Sequence, residues 1–111
     1  MAERGASLIW SPRSNVSLYG DTAAVPLFAR LGVNVALGTD WIPSGSMNLL
    51  RELQCARDLN TLWGNALSTE QLWRLVTING ARAVGGEGKL GLLATGQVGD
   101  VAVFAKAGRA R

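Results

Sequence analysis

The chain has 111 residues, enough for one small domain with a modest core. Nearly half of it is apolar and only 17% is charged, which excludes a disordered chain, and the net charge of +3 is too mild for a nucleic-acid footprint. There is no histidine and a single cysteine, Cys55, so no intrachain disulfide can form; this fits a reducing cytoplasm.

Strand character begins at once, over about residues 6–10 (Ser7-Leu8-Ile9-Trp10). No signal peptide is read in Met-Ala-Glu-Arg-Gly, because the apolar run after it is too short, and no run is long enough to span a bilayer. Ser11-Pro12-Arg13-Ser14-Asn15 reads as a polar turn, with a loop continuing through Tyr19-Gly20-Asp21. Thr22–Leu31 reads as a helix, with Asp21 or Thr22 as its cap, Pro26 in its first turn and Gly32 as its stop. Val33–Leu37 is apolar with little alternation, as in a parallel strand covered on both faces. The order strand, loop, helix, strand predicts a βαβ unit. This second strand runs through Gly38-Thr39 into Asp40, and α/β enzymes place metal ligands and general bases at such strand ends.

After the loop Trp41–Ser46, a helix is expected over about Met47–Trp63, with Leu49, Leu53 and Ala56 on one apolar stripe, Leu50 beside it and Gly64 closing it. Glu52 falls in its first turns and is read as a dipole-favouring carboxylate. Cys55 sits mid-helix with no histidine to activate it, so it is not read as a nucleophile. Ser68-Thr69-Glu70-Gln71 is a capping box opening a further helix with Leu72, Leu75 and Val76 inward; Asn79-Gly80 is expected to break or kink it before Ala81–Val84. The last third is glycine-punctuated, and no Gly-Lys-Ser/Thr follows those glycines, which excludes a phosphate-binding loop. Val101–Phe104 reads as a strand, and Lys106, Arg109 and Arg111 as a solvated basic tail. A boundary is expected near residue 86: α/β over 1–86 and a short β element over 87–111.

Three segments, in this order and spacing, carry a resemblance. The first is Trp10–Asn15 with Leu18-Tyr19-Gly20. The second is Gly32-Val33 through Gly38-Thr39-Asp40, then Trp41 and Pro43-Ser44-Gly45. The third is Thr77–Gly85, then Lys89-Leu90-Gly91, Gly96 and Asp100–Phe104. Together they resemble the C-terminal part of the metal-dependent amidohydrolase superfamily, in the branch of cytosine and guanine deaminases and chlorohydrolases. The resemblance implies the last two βα units of a (β/α)8 TIM barrel, plus a returning segment of a small composite β-sandwich. It implies that Asp40 contacts the catalytic metal, zinc or iron, or its bound water, and shuttles a proton. It places Ser14 and Asn15 on the catalytic face, where they touch substrate or hold the loop as turn-forming residues; Trp41 is a candidate pocket wall, with packing as the other reading.

The histidines of that family's earlier strands have no counterpart here, and one carboxylate cannot hold zinc tightly. The expectation is therefore a hydrolase of carbon–nitrogen bonds in a small, cyclic substrate, with this chain inactive alone and binding no metal tightly. It would need the missing N-terminal barrel portion or a partner chain. Two open strand edges and an uncovered apolar face predict self-association without it. The alternative is a non-catalytic interaction module, or half of a split or decayed enzyme, that docks on a partner barrel fragment.

Overall fold

A computed structural model describes residues 1–105; the expected basic tail lies outside them. After a short 3-10 turn at Ala2–Arg4, the described elements are β1 (Ser7–Trp10), α1 (Pro12–Tyr19), α2 (Val25–Arg30), β2 (Asn34–Leu37), α3 (Leu49–Leu62), α4 (Thr69–Arg74) and α5 (Ile78–Ala83). The two strands pair in parallel, with Ser7 opposite Asn34 and Trp10 opposite Leu37. The expected βαβ order therefore holds.

Alternation along each strand decides where the core lies. Leu8 and Trp10 of β1 share a face with Val35 and Leu37 of β2, and the helices pack there, with Val25, Ala56, Leu67, Leu72 and Leu75. Trp10 is 1% exposed and stacks on Trp63, ring centroids 5.6 Å apart, while its indole N–H donates to Thr22 Oγ1 at 2.7 Å. A large ring is thus buried with its one polar atom satisfied. The opposite face of β1 presents Ile9, which is 54% exposed.

One expected open edge is partly closed. On the side of β2 away from β1, the Leu37 N–H donates to the Leu75 carbonyl at 3.0 Å, and Asn79 Nδ2 donates to the Val35 carbonyl at 2.8 Å. The junction of α4 and α5 thereby satisfies backbone groups that a neighbouring strand would otherwise take.

Several elements differ from expectation. The turn and loop expected over residues 11–21 are largely the helix α1. Pro12 stands at its first position, and Gly20, with φ 68°, closes it by donating to the Val16 carbonyl. The helix after it starts at Val25, not Thr22, because the Thr22 hydroxyl is occupied by Trp10 and Asn15 and no side chain caps the helix. The apolar stripe expected on α3 holds at Ala56, which is buried, and at Leu53, which packs against the core, but not at its start. Its buried residues are Glu52, Ala56 and Asn60, one above another, while Leu49 and Leu50 are exposed. Asn60 earns its burial by a two-way clamp: Nδ2 donates to the Leu67 carbonyl at 2.9 Å and Oδ1 accepts from the Leu67 N–H at 2.8 Å. The Ser68–Gln71 capping box forms as expected. The expected break at Asn79-Gly80 falls earlier, at Thr77, and both residues lie inside α5.

Val101–Phe104, expected as a strand, pairs with no strand among the described residues, and a strand without a partner has nowhere to place its backbone bonds. Phe104 instead tilts against Trp73, centroids 6.2 Å apart. Among the described residues no helix is long and apolar enough to cross a membrane.

Asn60→Ala removes both halves of the Leu67 clamp and leaves a buried N–H and carbonyl unpaired. It should cost about 2 kcal/mol of stability, read as a lowered urea midpoint at unchanged slope.

Candidate functional site

The C-terminal ends of β1 and β2 carry the expected site residues. Asp40 follows β2 in a left-handed conformation, φ 55°, which Asp adopts more readily than most side chains. Ser14 lies in the first turn of α1, just beyond β1, and is 1% exposed. Its hydroxyl donates to Asp40 Oδ2 at 2.5 Å and lies 3.2 Å from Ser44 Oγ. Two strand ends, 26 residues apart in sequence, are joined by this bond. The Ser14 hydroxyl, and after it the backbone N–H of Trp41, hold the Asp40 carboxyl below its ordinary value; partial desolvation opposes them.

The other two expected pocket residues are not part of this pair. Asn15 turns away and accepts from Thr22 Oγ1 at 3.1 Å, in the chain of bonds that ends on Trp10. Trp41 is 73% exposed beside Asp40.

The loop between β2 and α3 is folded tightly on itself. Gly45 N–H donates to the Trp41 carbonyl at 2.7 Å and Ser46 N–H to the Thr39 carbonyl at 3.0 Å. A Cβ on Gly45 would stand 1.9 Å from the Thr39 oxygen, so this turn admits glycine alone.

Glu52, read as a dipole-favouring carboxylate, does lie in the first turn of α3 and is wholly buried there. It accepts from the Arg13 backbone N–H at 2.8 Å and from the Ser46 hydroxyl, and Ser46 Oγ in turn accepts from Arg13 Nε at 3.0 Å. Ser44 and Ser46 were missed. The available signal was a Ser-Gly-Ser loop directly after a strand-end carboxylate and directly before a helix carrying another. Cys55 borders the groove lined by Arg13, Ile42, Met47 and Arg51; burial pushes its thiol up, with Arg13 opposing and Glu52 and Asp58 adding. That direction keeps it a thiol, not a nucleophile. A second crevice of about 370 Å³ lies at the opposite, N-terminal ends of the strands, lined by Ser7, Asn34, Gln71 and Asn79. Ligand sites of open α/β sheets lie at the carboxyl ends, where Asp40 is.

A family model described as the amidohydrolase family matches residues 1–110. The chain belongs to the amidohydrolase family. It is 37% identical over 107 residues to a 5-methylthioadenosine/S-adenosylhomocysteine deaminase of Syntrophobacter fumaroxidans, covering 93% of this chain and 24% of that one. To a 5'-deoxyadenosine deaminase of Methanosarcina mazei it is 36% identical, again over 93% and 24%. Among solved structures it superposes on an adenosine deaminase from Xanthomonas campestris with bound zinc, at TM-score 0.82 and 32% identity, over 89% of this chain and 24% of that one. It also superposes on the guanine deaminase of E. coli, at TM-score 0.72 and 28% identity, over 81% of this chain and 21% of that one. The α/β fold is thus that of amidohydrolase relatives, and the chain spans about a quarter of their length.

Among the described residues no three His, Cys, Asp or Glu side chains stand together to hold a metal ion. Asp40 is a single carboxylate, with one oxygen already engaged by Ser14. An open catalytic zinc site takes about three protein ligands, so this donor set does not by itself fit the metal.

Ser14→Ala should let the Asp40 carboxyl rise toward its ordinary value, seen as a higher midpoint in a carboxyl-carbon NMR titration. With the folded value depressed, this pair stabilises the fold above the unfolded value and is lost as pH falls through the folded one; Ser14→Ala should weaken that dependence and leave the part that the Trp41 N–H supplies. Gly45→Ala should force the loop open and shift Asp40, visible as displaced backbone in a crystal structure of the variant.

Proposed function

We propose that residues 1–86 form the last two βα units of a (β/α)8 barrel and that the chain from 87 onward returns to a small β-sandwich. On this reading the whole protein is a hydrolase of non-peptide carbon–nitrogen bonds in a small cyclic substrate, and the relatives' names favour an amino-substituted purine nucleoside. The observation that carries it is the Ser14–Asp40 pair, formed at the carboxyl ends of adjacent parallel strands in a chain of this family.

Asp40, held in its ionised form at neutral pH, would take a proton from the attacking water and pass it to the departing nitrogen. Water oxygen bonds to the ring carbon, the carbon–nitrogen bond breaks, and ammonia leaves. A carboxylate held below its usual range is a weak base. The attacking water must therefore be acidified by groups outside residues 1–105, which is the part the family's zinc or iron would play. Ser14 would fix which oxygen of Asp40 is free, and Trp41 and Asn15 remain proposed as pocket wall. The exposed Ile9 face of β1 supports docking of the remaining barrel there, whether from the same chain or a partner. It equally favours a non-catalytic docking module.

Purified and dialysed, the 111-residue chain should carry no stoichiometric zinc and release no ammonia from aminopurine nucleosides; tight one-to-one zinc would overturn the incomplete site. Joined to the missing three-quarters of a relative's barrel, it should gain deaminase activity, and Asp40→Asn should then lower kcat about a hundredfold or more. Reconstituted binding with no turnover would favour the docking module.

A further inference from the structure

We infer that Glu52 is the positioning residue for Asp40, acting through the first turn of α1 and through the loop after β2. The first-turn N–H groups of a helix need partners. Ser11 caps α1 without a side-chain bond, and the Arg13 N–H is taken instead by Glu52, 39 residues further along the chain. The next residue, Ser14, places its hydroxyl on Asp40. The atom that Glu52 grips belongs to the residue immediately before the one that grips Asp40, within one helical turn.

A second route ends at the same carboxylate. The Ser46 hydroxyl donates to Glu52, and the Ser46 backbone N–H holds the Thr39 carbonyl, adjacent to Asp40. Asp40 is therefore located from both sides, through Arg13–Ser14 and through Ser46–Thr39. Its left-handed backbone is a conformation that must be held by neighbours, and both sets of neighbours are held by Glu52. Glu52 itself is 0% exposed, where a polar group needs hydrogen-bond partners.

The chemical importance of Asp40 rests on the hydrolase reading. The coupling does not, because it is measured with no metal or substrate present. Residue-resolved amide exchange and NMR contacts on the full chain test it. Glu52→Gln should speed exchange at Arg13 about tenfold and weaken the Ser14–Asp40 contact, while amides of β2 and the second half of α3 stay within about twofold. Ser14→Ala should lose the Asp40 contact and keep Arg13 protected, giving the coupling its direction. Equal acceleration throughout the chain, or an intact Ser14–Asp40 contact in Glu52→Gln, would overturn the inference. Should that variant not fold, Ser46→Ala decides. A shifted Asp40 backbone resonance with Arg13 still protected supports the second route, and an unmoved Asp40 refutes it.

Discussion

A carboxylate buried among three elements is the constraint on which the rest of this structure turns. Leaving Glu52 unpaired in the interior would cost several kcal/mol, so its donors are effectively obligatory. Arg13 brings α1 to it, Ser46 brings the loop after β2, and the backbone of α3 carries it. Because each donor comes from a different segment, satisfying one carboxylate fixes three segments relative to each other. Few apolar contacts could do this as specifically, since hydrophobic burial has no direction.

That specificity explains how a small unit presents a defined site. Two parallel strands and their helices deliver Ser14 and Asp40 to the same end of the sheet, as the carboxyl ends of such strands generally do for reacting groups. The loop between β2 and α3 then closes on Gly45, and Asp40 is held in a left-handed backbone region with its carboxyl met by the Ser14 hydroxyl and the Trp41 backbone N–H. One face of the sheet buries Trp10 against Trp63, and the other leaves Ile9 open. The relatives it matches are about four times as long.

The elements legible from sequence were those with strong local chemistry. Apolar β-branched runs marked both strands, and Ser68–Gln71 marked a helix start whose reciprocal hydrogen bonds form as read. The place of Asp40 just beyond β2 was legible because a carboxylate shortly after a buried apolar strand is a recognisable pattern. The polar first helix was not, since Pro12-Arg13-Ser14-Asn15 has turn composition and its first turn takes a partner, Glu52, from far along the chain. The buried stripe of α3 was read only in part, at Leu53 and Ala56, for a related reason. Glu52 and Asn60 look like surface residues until their distant partners are known.

The sequence alone determined the strand–helix alternation, the membership in a metal-dependent hydrolase family, and the isolation of Asp40 from any histidine. These depend on periodicity, motif order and composition, which are local or countable. Tertiary structure decided that Ser14 and not Asn15 meets Asp40, that Glu52 goes inside, and that Val101–Phe104 pairs with no strand among the described residues. Each of those is set by the direction of a hydrogen bond between residues far apart in the chain, or by the absence of a strand to receive one. Such directions exist only once the segments are packed.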